Sequence, residues 1–424
     1  MGKYDEMWEK LNIDMPAHEG LMAVLGKFYG DIYLSQQGRL QGMEYLDLVL
    51  SEIHGLRVRE LQEAKQKEGR KVIGTFCVFV PEELTIAANA IQVGLCSGAD
   101  AGKEEVEKLI PRNTCALIKS LVGFKLAHLC PFTESCDLIV GETTCDGKKK
   151  AYETLGEFAP VYVMEVPQCT SEDDKVLWKA EIIRYKEKIE EMTGNTITAE
   201  SLKKAIVIVN NKRKAIQRLN KLRVAEPVPI SGRDALLINQ VGFYDDPERF
   251  TAQVNLLCDQ LEEKIAKGEG VAPKGTPRLL MSGCPMAVPN WKLPYVTESA
   301  GAIIVGEESC VGTRNIRDLV DENGKTVDDM INALTDRYLK IDCACFTPNT
   351  ERVDNILDLA KATKADGVLQ YTLMFCQPYA QENFRVEKSL RQEEIPSMIV
   401  ETDYGMEDVE QLKTRIEAFV EMVK

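Results

Sequence analysis

Histidine is almost missing: only His18, His54 and His128 occur in 424 residues. A metal site built mainly on imidazole is therefore excluded. Positive charge is also short, with 52 Lys and Arg against 67 Asp and Glu and a formal net charge of −15, which argues against a nucleic-acid binder that relies on a basic footprint. No apolar run is long enough to span a bilayer, and the opening MGKYDEMWEK has no apolar signal core, so a cytoplasmic protein is expected. There is no G-x-x-x-x-G-K-[ST] loop and no G-x-G-x-x-G after a strand. Any use of ATP then falls to a partner. Cysteine, by contrast, is abundant at thirteen. In a cytosolic chain that number points to metal or redox chemistry more than to disulfides.

The chain divides by texture. Residues 1–68 carry helical patterning, as in MEYLDLVLSEIHGLRVRELQEAKQ, and are read as an N-terminal helical segment. From 69 to 170 short apolar runs alternate with helical stretches: KVIGTFCVFV, AIQVGLC, a helix through LIPRNTCALIKSLVGF, then CDLIVGETTC and VYVMEVP. Buried strands alternating with helices predict a parallel sheet of βαβ units. Residues 171–276 turn charged and helical and end in the Gly/Pro-rich GEGVAPKGTP, which predicts a helical connecting region. The βαβ rhythm returns over 277–424 with PRLLMSGCP, AGAIIVGEESC, YLKIDCACF, GVLQYTLMFC and SMIVETDYG. The expected fold is α/β, with two Rossmann-like parallel-sheet domains facing across a cleft. IVGETTC and IVGEESC match closely enough to raise an internal duplication.

The cysteines fall where such a fold places ligands. Cys77, Cys96, Cys145, Cys284, Cys310, Cys343, Cys345 and Cys376 each follow an apolar run read as a strand, and open parallel sheets bind ligands in the crevice outside their carboxyl ends. A single cysteine is more often a small buried hydrophobe. Core cysteines, however, should scatter, as Cys136, Cys169 and Cys258 do. Structural zinc needs paired C-x2-4-C knuckles, and only Cys343-Ala-Cys345 comes close. Single thiols from distant loops suit an iron-sulfur cluster assembled by the tertiary fold. GETTCDGKKK places three lysines past a strand end, either a solvated basic turn or an offset for negative charge. Glu142, Glu307 and Glu401 also lie at strand ends, where hydrogen bonding to loop amides is a commoner role than proton transfer.

GTFCVFVPEEL, GLCSGAD, IPRNTCALIKS, CPFTESCDLIVGETTCDGKKKAYE, VMEVPQ, SGCP, IDCACFTPN, the strand ending in Cys376 and IVETDYG resemble the 2-hydroxyacyl-CoA dehydratase and benzoyl-CoA reductase superfamily. The likeness runs from Lys71 to the C-terminus and is greatest to the double-cubane cluster protein branch. It implies two Rossmann-like domains with an oxygen-sensitive cluster in the cleft. Dehydratase subunits hold one 4Fe-4S cubane through three cysteines, matched here by Cys96, Cys130 and Cys376. The double-cubane branch holds an 8Fe-9S cluster through six. The resemblance nominates Cys145, Cys310 and Cys345 for the second cubane, with Cys115, Cys284 and Cys343 as competitors.

The same resemblance implies a homodimer served by a separate ATP-hydrolysing 4Fe-4S activator, itself a homodimer. The expected function is the catalytic component of an ATP-dependent low-potential reductase acting on small molecules. Two alternatives stand beside it: a 2-hydroxyacyl-CoA dehydratase subunit with a single 4Fe-4S cluster, and a non-catalytic electron carrier.

Overall fold

The computed structural model describes residues 2–100 and 102–424. Among the described residues, eight strands form two separate four-stranded parallel sheets. In the first, β1 (Val72–Thr75), β2 (Ile91–Gly94), β3 (Leu138–Glu142) and β4 (Val161–Met164) lie in the order β2-β1-β3-β4. In the second, β5 (Arg278–Gly283), β6 (Ile303–Glu308), β7 (Gly367–Leu373) and β8 (Ser397–Thr402) lie in the order β6-β5-β7-β8. Both sheets thus share one topology, with the first strand of each flanked by its second and third. The strand order reverses between β1 and β3 and again between β5 and β7, and at such switch points crevices open outside the strand ends.

The strands are nearly all apolar because helices cover both faces. Every residue of β1, β3, β5, β6 and β7 is buried. The two sheets approach closely at their carboxyl ends. Gly98 N donates to Val288 O at 2.9 Å, and a Cβ at Gly98 would lie 2.3 Å from Ala287 O. Gly283, the last residue of β5, has φ +136°, and a Cβ there would come within 1.9 Å of Tyr371 O. Only glycine fits that approach.

A bracket of long helices ties the sheets together from behind. Capping boxes at Ser171 and Thr198 start the helices Glu172–Thr193 and Ala199–Leu222. The second helix reaches both sheets. Arg213 donates to Glu83 at 2.7 Å on the first side, and Arg223, just past its end, donates to both Glu307 oxygens at 2.6 Å on the second. The N-terminal residues are helical, through Met15–Tyr29, Met43–Ser51 and Leu56–Glu68. Phe28, Tyr29 and Tyr33 pack on Trp291 of the second half.

YLKIDCACF is not a strand. Tyr338 and Leu339 end the helix Val327–Leu339, and Cys343 and Cys345 follow in a loop. Thr326 and Asp329 form a capping box, and Met330, Ile331, Leu334 and Tyr338 bury at helical spacing. The apolar Tyr-Leu pair completes that helical stripe. Likewise Cys115 is the N-cap of Ala116–Leu126, so the helix begins midway through LIPRNTCALIKSLVGF.

Candidate functional site

A cavity of about 1380 Å³ opens between the carboxyl ends of the two sheets. That is larger than the roughly 300–1,000 Å³ of most ligand pockets. Nine of the thirteen cysteines line it: Cys77, Cys96, Cys115 and Cys145 from the first half, and Cys284, Cys310, Cys343, Cys345 and Cys376 from the second. No histidine is among its lining residues. Of the six thiols nominated from sequence, Cys96, Cys145, Cys310, Cys345 and Cys376 meet there. Cys130 does not. It begins the short helix Pro131–Ser135 and packs into the main core beside Tyr244. Cys136, Cys169 and Cys258 are also outside the lining; Cys136 Sγ donates to Phe132 O at 3.1 Å.

Several thiols touch across the cleft. Cys77 lies beside Cys310, and Cys115 beside Cys376, which also neighbours Cys284. The Cys343 and Cys345 thiols are neighbours. Sulfur atoms from β1 and β6, and from the two halves of the chain generally, therefore face one another. Among the described residues no three His, Cys, Asp or Glu side chains converge as a single-ion site. The donors are instead spread around a large space, which fits a multinuclear group bridging many thiolates better than one zinc ion.

Each side of the cleft has a buried cation. On the first, Lys148 is 6 % exposed, lines the cavity, bonds Glu142 at the end of β3, and donates to Phe76 O at 3.4 Å. Burial opposes its charge, but Glu142, Tyr152, Cys77 and Cys96 together outweigh burial and push the ammonium's pKa up. Tyr152 OH donates to the other Glu142 oxygen at 3.1 Å. Lys149 and Lys150 are solvent-exposed. GETTCDGKKK therefore contributes one buried counter-charge and two solvated lysines. Burial pushes the Cys96 thiol up to about 12, partly opposed by Lys148.

The second side carries a network that sequence reading missed. Glu308, at the end of β6, accepts from Arg314 Nε at 2.8 Å, from Arg352 Nη2 at 3.0 Å and from Ser282 Oγ at 2.6 Å. Arg314 Nη1 reaches Cys310 Sγ at 3.6 Å. Arg352 also bonds Glu382, and Asn349 Nδ2 donates both to Glu382 at 2.8 Å and to Cys343 O at 3.0 Å. Arg317 Nη1 holds Asp342 at 2.9 Å, fixing the loop that bears Cys343. The neighbouring Cys77 thiol, and then Arg314, hold the Cys310 thiol below its ordinary pKa. The available signal was the second glutamate of IVGEESC. Glu307, the first, faces Arg223 instead, Glu142 faces Lys148, and Glu401 is exposed; the first two are ion-paired carboxylates, not acceptors for loop amides.

Cys376 follows a strained turn. Phe375 has φ +67°, and Cys376 N donates to Leu373 O at 2.9 Å. A bulky residue in that conformation costs on the order of 1–3 kcal/mol, and such strain concentrates at functional sites. Phe375 itself is 42 % exposed and, with Leu177 and Val163, forms an apolar edge to the cavity.

Comparison with known proteins agrees with this architecture. The chain is 38% identical over 87% of its length, and 94% of the relative's, to "Putative dehydratase subunit YjiM" of Escherichia coli. It is 27% identical to the (R)-phenyllactyl-CoA dehydratase beta subunit of Clostridium sporogenes, over 84% of this chain and 92% of that one. To one subunit of the benzoyl-CoA reductase of Thauera aromatica it is 22% identical, over 84% and 91%. The family described as 2-hydroxyglutaryl-CoA dehydratase, D-component, matches residues 77–423. With all nine cleft cysteines inside that match, the chain belongs to the 2-hydroxyglutaryl-CoA dehydratase D-component family.

Proposed function

We propose that the chain is the cluster-bearing catalytic component of an ATP-dependent low-potential reductase. It holds a double-cubane 8Fe-9S cluster between its sheets and acts on a small molecule with electrons from a separate ATP-hydrolysing activator. The observation that carries this reading is the set of nine thiols around one cavity. Three would suffice for the single cubane of a dehydratase subunit. When bound, such a group supplies one-electron transfer at potentials that reach down to about −700 mV.

The contacts favour particular ligands. Cys115, Cys284 and Cys376 form one touching set, while Cys77 with Cys310 and Cys343 with Cys345 form another. Cys145 lies within electrostatic reach of both Cys115 and Cys343. We therefore draw the six ligands of the two cubanes from the seven thiols of these two sets and leave Cys130 out, in place of the grouping with Cys96 and Cys376 that the resemblance implied. The chain's other residues desolvate the group, and Lys148 and Arg314 supply fixed positive charge beside it. The relatives are named as subunits, and this chain too works within an assembly; a homodimer is the form proposed.

A second reading, the 2-hydroxyacyl-CoA dehydratase subunit with one 4Fe-4S cluster, is supported by the dehydratase names of the relatives and by the apolar edge at Val163, Leu177 and Phe375. Iron and acid-labile sulfide per chain, measured on protein purified without oxygen, separate the two. About eight irons are expected for the double cubane and about four for the dehydratase. Zinc without sulfide would contradict both.

A further inference from the structure

The two buried cations beside the cleft differ in what their charged groups touch: the Arg314 guanidinium meets a sulfur, whereas the Lys148 ammonium does not and only the backbone N–H of Lys148 donates to Cys145 Sγ, at 3.4 Å. Arg314 has 1 % of its side chain exposed and lies in the turn of helix Thr313–Ile316 directly after β6. Five of its contacts fix the guanidinium. Nε faces Glu308 at 2.8 Å, Nη2 donates to Gly283 O at 3.2 Å and Glu308 O at 3.3 Å, and Nη1 meets Tyr379 OH and Cys310 Sγ, the last at 3.6 Å. Glu308 is shared with Arg352, so its single negative charge is divided between two guanidiniums. Lys148 Nζ, in contrast, spends its bonds on Glu142 and Phe76 O.

We infer that Arg314 raises the reduction potential of the bound cluster by giving the Cys310 thiolate a charge-assisted N–H···S hydrogen bond. The inference rests on the iron-sulfur reading above. Reduction adds an electron to an already negative group, and a buried cation with an N–H aimed at a ligand sulfur stabilises the more negative state. Its fork is rigid, so little reorganisation accompanies electron arrival. Arg314 is thus a positioning residue acting through Cys310. Arg352 shares the same carboxylate but spends its bonds on Ser282, Glu308 and Glu382, which makes it the internal control.

The test is the midpoint potential, read by electron paramagnetic resonance during a reductive titration of anaerobically loaded full-length protein, with iron content measured on the same samples. Arg314→Gln should lower the potential by an amount equal to at least a tenfold loss in the equilibrium for one-electron reduction, about 59 mV. Arg314→Lys keeps the charge without the fork and should lie between this variant and wild type. Arg352→Gln should leave the potential near the wild-type value. A wild-type potential in both Arg314 variants, or an equal fall with Arg352→Gln, overturns the inference. If Arg314→Gln does not retain iron, the potential of Arg314→Lys decides. A wild-type protein without iron and sulfide would instead overturn the iron-sulfur reading itself.

Discussion

The two halves of the molecule have the same strand order but support their thiols differently. The first sheet presents Cys77, Cys96 and Cys145 over one ion pair, Lys148 with Glu142, and otherwise over apolar and tyrosine contacts. The second presents Cys310, Cys343 and Cys376 over a continuous ionic network through Glu308, Arg314, Arg352 and Glu382. A shared topology therefore does not imply a shared electrostatic environment. The near-identical IVGETTC and IVGEESC sharpen the point. They lie on β3, the third strand of its half, and β6, the second of its half, so the match joins topologically different strands. The repeat is in the order of strands, and that short motif is not its trace.

The largest effect should come from breaking thiol pairs that span the halves. Cys115→Ser and Cys376→Ser remove partners in one touching set, and each should cost about half of an eight-iron complement. Cys130→Ser should leave iron unchanged. Iron assays on anaerobic protein check this, and a loss at Cys130 equal to that at Cys115 would favour the set of Cys96, Cys130 and Cys376 that the resemblance implies.

The helical bracket offers a second comparison. Arg213→Met strands Glu83 on the first side and Arg223→Met strands Glu307 on the second, each carboxylate being almost fully buried. Leaving one buried charge uncompensated costs about 3–5 kcal/mol. Urea unfolding should show losses of this size for both. A markedly smaller loss at one site would show that the bracket holds only one sheet.

The N-terminal helices supply a pH-dependent contrast with the sheets. His18 Nε2 and His54 Nδ1 lie 2.9 Å apart, and burial lowers their pKa values to about 4 and about 3. In the unfolded chain they titrate near ~6.5. The folded state therefore binds fewer protons below that pH, and stability is full above about 6.5 and falls as pH drops toward about 4. The slope is up to about 1.4 kcal/mol per pH unit for each imidazole. Thermal melting between about pH 7 and pH 5 measures it, and His54→Asn should flatten the slope even if it lowers stability at neutral pH.

The smallest effect concerns the helix before the Cys343 loop. Thr326→Ala removes its N-cap and should cost about 1 kcal/mol in chemical unfolding. Iron content should not change, because the loop is held from its other end by Arg317 and Asn349.

Much of the fold was legible because buried parallel strands read as unbroken apolar runs, as in LIVGE and IIVGE, and a strand-end cysteine marks where each run reaches the crevice. Tyr338-Leu339 misled because a short apolar pair carries no period of its own; the cap at Thr326 and the spacing of Met330, Ile331 and Leu334 reveal the helix to which it belongs. In the site, spacing shows which thiols follow strands but not which face the cleft. Cys130 has the same Cys-Pro context as Cys284, yet lies outside the cavity lining whereas Cys284 belongs to it. The Arg314 network joins residues from four separate segments, and no local pattern connects Ser282, Glu308, Arg352 and Glu382 before the chain folds.

The central claim is that thiols of both sheets share one cluster. Iron anomalous scattering from crystals grown without oxygen tests it most directly. Iron is expected between the carboxyl ends of the two sheets, bound by cysteines of both halves, including Cys310 after β6 and Cys376 after β7. Iron confined to thiols of one half, or seated on Cys130 outside the cleft, would contradict it.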